Sequence, residues 1–249
     1  MRPTIFYEDP QILVCEKPAG MPVQPDRSIS MDLVNFLKNH IFLMTRKKPE
    51  VYLVHRLDRP VSGVMVFAKT KKAASFLSHE FQEKQSTDTR TAFRDTKKSR
   101  LSKRYLAIIS GLLPVSEEIH TLTDYIKKDG RTNTSAIVSK DDTDAKQAIL
   151  HYRVLCHLEE QNLSLIEIDL VTGRHHQIRV QAAAHLGGIY GDRKYNPDEP
   201  GSQAPGYPAL CSYFLSFFHP ETGKKMCFEM YPEYDGFKLF ADYFKKSMK

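Results

Sequence analysis

The sequence has few cysteines, and their positions exclude the commonest cysteine-based sites. Four cysteines are scattered along 249 residues without the paired spacing that zinc sites use: Cys15, Cys156, Cys211 and Cys227. Cys15 and Cys156 lie in apolar, strand-like runs, which predicts buried, reduced thiols. Reduced thiols are typical of a cytoplasmic protein, and we expect that location here.

Other features that define whole classes of protein are also missing. No apolar run is long enough to cross a bilayer, and the N-terminus lacks a signal-peptide pattern, so we expect no membrane partner. Neither a phosphate-binding loop nor a dinucleotide fingerprint is present. We therefore predict no small-molecule cofactor and no metal. Internal repeats are absent as well, which excludes solenoid architectures.

The composition is that of a soluble globular protein. Hydrophobic residues make up 41% of the chain and charged residues 27%. The length is sufficient for one large domain or for two intimate subdomains, with an ample core. We expect a single domain over residues 1–249 with two such subdomains. The net charge of +6 and a pI of about 9.0 permit a nucleic-acid partner without proving one.

The apolar pattern predicts an α+β fold. Helical spacing follows two predicted N-caps, Ser30 and Thr70, and a stripe formed by Phe237, Phe240 and Phe244 predicts a final helix that faces the core. Strand patterns occur at residues 4–6, 12–16, 51–54, 64–68, 105–110, 136–139, 149–156 and 163–171, and a hairpin joins 209–218 to 225–230. These long-range pairings predict one mixed, largely antiparallel sheet with flanking helices.

The most informative stretch is the loop around Asp58. This carboxylate lies beside Arg56, Arg59 and His55, between two apolar segments that predict buried strands. The surrounding positive charge would keep the carboxylate ionised, as a nucleophile or a base requires. The same pattern is also ordinary turn chemistry, because aspartate is common in turns. The residues alone leave both interpretations open.

A second informative region spans residues 172–185. Thr172 or Gly173 is the predicted cap of a helix that contains residues 177–184 and ends near Gly187. A helix start attracts anions, and Arg174 and Arg179 add positive charge there. The anion could be an RNA phosphate or Asp58.

The pair His175-His176 lies in this region and invites a metal interpretation. Adjacent histidines on a helix point in different directions, whereas metal-binding pairs are usually four residues apart. No cysteine or carboxylate completes a site. We therefore expect histidines at the surface or in contact with RNA.

Taken in order, five segments resemble the RluA-type pseudouridine synthases. Residues 55–63 resemble the family's His-Arg-Leu-Asp signature followed by Ser-Gly. Four further segments resemble its opening strand with a Lys-Pro-x-Gly turn, its tyrosine-bearing strand, its arginine-bearing helix and its closing hairpin: 12–21, 103–107, 173–180 and 217–223. The likeness runs from about residue 10 to about residue 232. This chain would be a stand-alone catalytic domain without the N-terminal accessory RNA-binding domain of some relatives.

The resemblance implies a fold and a reaction. The fold would be a curved sheet split by a central RNA-binding cleft. The reaction would isomerise specific uridines to pseudouridine in structured ribosomal or transfer RNA, carried out by a monomer without a cofactor. The target base would be flipped out of its stack, because a stacked uridine cannot be reached.

The resemblance also implies a role for individual residues. Asp58 would act at the ribose, as a nucleophile toward C1′ or a base toward C2′, and Arg179 would pair with it. Tyr105, which its position alone would assign to the core, would stack on the target base. Five further residues would bind RNA: His55, Arg56, Lys103, Arg174 and His176.

The chain also departs from the family pattern. Val61 replaces a usual hydroxyl residue, His175 a usual threonine, and Gln181 a usual histidine, and these changes bear on substrate preference. The polar, basic insertion at 85–100 is either a solvated loop or a phosphate-binding arm.

Two other functions stay open on the sequence. The first is a non-catalytic RNA-binding or RNA-folding protein on the same scaffold. The second is a hydrolase or nuclease that uses Asp58, His175 and His176.

Overall fold

The computed structural model describes residues 2–25, 31–82, 92–93, 101–197 and 206–247. Strands and helices alternate irregularly along these ranges, as expected for an α+β protein. In chain order the elements are β1 (Ile5–Glu8), β2 (Ile12–Lys17), α1 (Leu33–Thr45), β3 (Tyr52–Leu53), β4 (Ser62–Ala68), α2 (Lys71–Gln82), β5 (Ser102–Ser110), β6 (His120–Asp129), β7 (Thr134–Ile137), β8 (Lys146–Leu158), β9 (Leu163–Leu170), α3 (Gln177–His185), β10 (Leu210–Phe218), β11 (Lys225–Glu229), α4 (Asp235–Lys238) and α5 (Ala241–Ser247).

The described residues fall into two compact units. The first unit contains residues 2–82, 101–102 and 212–230, and the second contains 92–93, 103–211 and 231–247, apart from the gaps given above. The single domain over residues 1–249 stays a prediction.

The first unit is built on antiparallel strands. β2 pairs with β1 and with β4, β3 pairs with the C-terminal end of β4, and β10 pairs with β11. Every residue of β4 is buried, and α2 covers the face formed by Val64, Val66 and Ala68. The core beneath α2 is aliphatic and aromatic: Ile12, Val14, Val64, Val66, Leu77, Leu215 and Phe217. Burial of these side chains is the main favourable term in the stability of this unit.

Helix starts in the first unit confirm one predicted cap and correct the other. The hydroxyl of Thr70 accepts the Ala73 N–H at 3.1 Å, as predicted for α2. Helix α1 is capped by Asp32, whose carboxylate accepts the Asn35 N–H at 3.0 Å. The predicted cap at Ser30 is wrong for this reason, and Ser30 itself lies outside the described residues.

The closing hairpin β10–β11 is fastened to the β1–β2 turn by a buried histidine. His219 Nε2 lies 2.7 Å from the Asp9 carboxylate. The other ring nitrogen accepts the backbone N–H groups of Glu221 and Thr222, which defines a neutral tautomer with its proton on Nε2. The predicted hairpin is confirmed.

The second unit is an antiparallel sheet in the order β5-β9-β8-β6-β7. Strand β6 is absent from the predicted elements. Of its ten residues only Ile126 is buried, so its apolar signal is weak, and pairing with β8 is what makes it a strand.

Two details of the second unit correct the prediction. Cys156 is only half-buried, because the register of β8 shifts between Val154 and Cys156, which takes Cys156 out of the predicted alternation. Phe237, Phe240 and Phe244 are core residues as predicted. Phe237 lies on α4 and Phe244 on α5, with Phe240 in the turn between them. The predicted single helix is interrupted there, because the Phe240 N–H bonds three residues back, to Phe237 O.

The insertion at 85–100 lies outside the described residues except at two positions. Ala92 is buried, and the Phe93 N–H donates to the Asp169 carboxylate at 2.9 Å. The Phe93 ring lies 4.8 Å from the Arg153 guanidinium carbon. Across the described ranges, helices that could span a bilayer are not found.

Candidate active site

The loop that contains Asp58 joins β3 to β4 in the first unit. Its tightest turn is closed by a 3.0 Å hydrogen bond from the Val61 N–H to the Asp58 carbonyl. Leu57 is buried and Asp58 is half-buried. Leu57 therefore anchors the loop in the core, and Asp58 follows it at the half-buried surface.

Lys17 fixes the backbone immediately after Asp58. Its side chain is fully buried, and Nζ donates to the carbonyl oxygens of Pro18 at 3.0 Å, Met21 at 2.9 Å and Arg59 at 2.9 Å. A buried ammonium group is tolerated only when its N–H groups are hydrogen-bonded. Lys17 thus joins the turn that follows β2 to the Asp58 loop.

Two further bonds join the same segments. The Gly20 N–H donates to the Arg59 carbonyl at 2.9 Å, and Arg59 Nε donates back to the Gly20 carbonyl at 3.1 Å. Gly20 has a φ of 81°, a conformation that favours glycine. The Lys-Pro-Ala-Gly turn is therefore a support for the acidic loop.

Gly63 permits close packing at the end of this loop. Its φ is 138°, and a Cβ atom there would lie 2.6 Å from the Ser212 backbone nitrogen. No side chain fits at that distance. The glycine of the Ser-Gly pair that follows the aspartate is thus required by the contact between β4 and β10.

His55 and Arg56 have different environments in the loop. His55 Nε2 accepts the Val66 N–H at 3.1 Å, and its ring stacks on Phe81 with centroids 4.3 Å apart. Arg56 is exposed. His55 has a supporting role in the loop, and the RNA-binding role of both residues stays a prediction.

In the second unit, β5 presents Tyr105 and Lys103. The two residues are separated by one position, so their side chains leave the same face of the strand. Tyr105 is buried. Burial lowers the pKa of Lys103 to about 8, and the nearby Asp169 carboxylate opposes that shift.

Helix α3 begins later than predicted. Gln177 is its first residue, and the N-cap is His176, in the left-handed region with φ 55° and without a side-chain capping bond. Thr172 does not cap the helix. Its hydroxyl bonds to the Gln177 side-chain oxygen at 2.8 Å, and the Arg174 N–H donates to that oxygen at 3.0 Å. The Gln177 side chain thus turns back toward Thr172 and Arg174, in the segment that was predicted to form the first turn of the helix.

Arg179 lies in the first turn of α3 and pairs with an acid that the sequence reasoning missed. Its Nε and Nη2 donate to the two carboxylate oxygens of Asp192 at 2.7 and 2.6 Å, and both side chains are buried. The sequence signal was weak, because Asp192 is followed by Arg193 and Lys194, which is typical of an exposed loop. The predicted pairing of Arg179 with Asp58 stays a prediction.

The two adjacent histidines do not point apart. Their rings stack with centroids 3.8 Å apart and planes at 24°. The prediction was wrong because both residues precede the helix and His176 is left-handed. His176 is buried, and burial lowers its pKa to about 3, with further lowering by Arg179, His175, Lys194 and Lys128.

Arg174 lies outside the helix. Its Nε donates to the Gln147 carbonyl of β8 at 2.8 Å. The half-buried side chain is therefore tied to the start of β8. Its predicted contact with RNA is not tested by this geometry.

Comparison with known proteins identifies the family. A family model described as RNA pseudouridylate synthase matches residues 11–184, which include Asp58, Tyr105 and Arg179. The chain belongs to this family. An uncharacterised RNA pseudouridine synthase of Aquifex aeolicus is 33% identical over 238 residues, which cover 91% of this chain and 68% of that protein.

Further relatives and a solved structure agree. Ribosomal large subunit pseudouridine synthase D of Neisseria meningitidis serogroup A is 33% identical over 237 residues, 90% of this chain but only 57% of that protein. The structure named Human RNA Pseudouridylate Synthase Domain Containing 4 superposes with a TM-score of 0.70 at 22% identity, over 95% of this chain and 92% of that one. At that identity the likeness shows the fold.

The predicted RluA-type family and the α+β pseudouridine synthase fold are confirmed. The enzyme class, an isomerase that acts as an RNA pseudouridine synthase, is confirmed at the level of the family. The roles of individual residues stay predictions.

Proposed function

We propose that this protein isomerises specific uridines to pseudouridine in RNA, with Asp58, Tyr105 and Arg179 acting on the target nucleotide. The main support is that the family match includes Asp58 and that the loop containing Asp58 is rigidly held. Lys17 and Gly20 fix the backbone beside Asp58, and a fixed position is what a group acting directly on substrate requires.

The reaction conserves the composition of the nucleotide, with one proton exchanged with solvent. The bond from base N1 to ribose C1′ breaks, the base turns, and C5 bonds to C1′. The C5 proton leaves to solvent and N1 gains a proton. Asp58 acts at the ribose by attack on C1′ or by removal of the C2′ proton, and both routes remain open. Tyr105 offers a stacking face to the uracil.

Base flipping and RNA binding belong to the same proposal. Extrusion of a stacked uridine costs on the order of a few kcal/mol. Arg56, Lys103 and Arg174 would offset part of that cost by contacts with phosphate. His55 and His176 already have structural bonds, so their RNA contacts are the less supported part of the prediction.

The RNA is the least determined part of the proposal. Relatives are named for the ribosomal large subunit, which supports ribosomal RNA as the first candidate. Transfer RNA is the second. We further propose a cytoplasmic monomer that works without a cofactor.

Release of tritium from RNA labelled at uridine C5 tests this function. The labelled RNA should come from cells that lack the protein, because wild-type RNA already carries the modification. We expect tritium release that saturates near one equivalent per target site, without strand cleavage and unchanged by chelators. Failure to release tritium from total RNA would overturn the proposal, and strand cleavage would favour the nuclease alternative.

Lys103 gives a prediction about pH. If its ammonium binds phosphate, its contribution to affinity is present below pH 8 and is lost as the pH rises through the lowered pKa of about 8. We expect Lys103→Met to weaken binding at pH 7 and to reduce the salt slope by about 0.7 to 0.9.

Titration of RNA binding at pH 7 and pH 9, at several salt concentrations, measures both effects. Lys72→Met is a matched control, because Lys72 is exposed on α2. An equal loss of affinity for Lys103→Met at both pH values would contradict the assignment.

A further inference from the structure

The Arg179 guanidinium is held on two sides at once. The Asp192 carboxylate accepts hydrogen bonds from two N–H groups in the guanidinium plane, at 2.7 and 2.6 Å. The Tyr195 ring lies against its face, with the guanidinium carbon 5.0 Å from the ring centroid. A bidentate pair fixes the plane and an aromatic ring limits tilting out of it. Together they leave the arginine one orientation.

Asp192 and Tyr195 are themselves joined by a compact turn. The Tyr195 and Asn196 N–H groups donate to the Asp192 carbonyl at 3.3 and 2.7 Å. The Lys194 N–H donates to the Asp192 carboxylate at 3.1 Å. The acid and the ring therefore reach Arg179 from a single rigid segment.

The Tyr195 ring is fixed at its far end as well. Its hydroxyl accepts the Ser135 N–H at 2.8 Å and lies 2.7 Å from His176 Nδ1. His176 is neutral, because burial and neighbouring cations keep its pKa low. The hydroxyl can therefore donate to His176 while it accepts from Ser135. Ser135 belongs to β7, so the hairpin β6–β7 takes part in placing the ring.

We propose that Tyr195 is a positioning residue for the isomerase reaction, acting through Arg179. The inference depends on the proposed catalytic role of Arg179. Tyr195 need not touch RNA: it holds the guanidinium in the orientation that Asp192 also requires. Misplacement of a catalytic group by about 1 Å can cost roughly a hundredfold in rate, so loss of the ring should lower turnover more than binding.

A double-mutant cycle tests this. Tyr195→Leu should lower kcat about 10- to 100-fold, with the Kd for RNA changed less than about threefold. In an Arg179→Lys background the same change should lower kcat less than about threefold, because lysine lacks the planar fork that the ring supports. Tyr195→Phe keeps the ring and should lose only about three- to tenfold, the value of one or two hydrogen bonds.

Tyr234→Leu is the matched control. Tyr234 lies in the same unit, its hydroxyl donates to the Leu210 carbonyl at 3.0 Å, and its ring packs against Phe237. Its effect on kcat should be the same in the wild-type background and in the Arg179→Lys background. The alternative results for Tyr195→Leu are a loss of kcat by the same factor in both backgrounds and an unchanged kcat. Either result, obtained with an active wild-type enzyme, would contradict the positioning role.

An inactive wild type would instead refute the proposed function, so the two failures are distinguishable. Thermal melts separate misfolding from misplacement. If Tyr195→Leu does not fold, Tyr195→Phe tests the hydroxyl that fixes the ring. Its loss in kcat of about three- to tenfold should disappear in the Arg179→Lys background, and an equal loss in both backgrounds would contradict the positioning role.

Discussion

Asp58→Asn abolishes pseudouridine formation, with kcat reduced by at least about 10⁴-fold. Removal of a nucleophile or of its base costs rates of this order in well-studied enzymes. Asparagine keeps the shape of the side chain but removes its charge and most of its reactivity. RNA affinity should change less than about threefold, because the phosphate-binding cations are untouched.

Tritium release in single-turnover reactions measures this effect over the required range. Asp58→Ala should behave in the same way, and it excludes slow conversion of asparagine back to aspartate as a source of residual turnover. Asp141→Asn is the control, because Asp141 is exposed in the second unit. Sustained turnover by either Asp58 variant would refute the catalytic assignment, and normal cellular function of both would favour the non-catalytic RNA-binding alternative.

Lys17→Met should be the most destabilising single substitution in the support of the loop. It removes a buried donor from three carbonyl oxygens, those of Pro18, Met21 and Arg59. Loss of a charged partner from buried acceptors costs about 3 kcal/mol or more. For a chain of this size that corresponds to a decrease in Tm of about 6 to 12 °C.

Thermal unfolding of the two lysine variants, Lys17→Met and Lys72→Met, tests this prediction. Lys72 is exposed on α2 and has similar helix propensity to methionine, so its replacement should change Tm by less than about 2 °C. Below the melting temperature Lys17→Met should also lose activity, because Arg59 is no longer held beside Asp58. A Tm equal to that of the control would show that the three bonds contribute little.

The elements that the sequence predicted well are those whose signal is local. The strand after Asp58 and the helix capped by Thr70 have strong patterns, and their bounds agree to within a few residues. The strand before Asp58 was predicted to be buried over residues 51–54, whereas it is a half-buried pair, Tyr52–Leu53. Strand β6 was missed because nine of its ten residues are half-buried or exposed. Its sequence therefore lacks the apolar alternation by which a strand is recognised, and pairing with β7 and β8 defines it instead.

The site shows the same division. Asp58, Tyr105 and Arg179 were identified because ordered motifs resemble a family, and the family match includes all three. Asp192 and Tyr195 were missed, although they hold Arg179. Their role depends on a turn that folds back on α3, and a single sequence does not encode that contact as a recognisable pattern.

The linear order of residues by itself determined the family, the α+β class and the identity of the acidic loop, because each of these depends on short-range patterns and motif order. Only the tertiary structure decided what immobilises the site. Three residues act through buried polar contacts: Lys17 in the support of the loop, Asp192 as the partner of Arg179, and the left-handed His176 before α3. Such contacts are formed by residues that burial brings together, and their energies depend on exclusion of water, which no local pattern specifies.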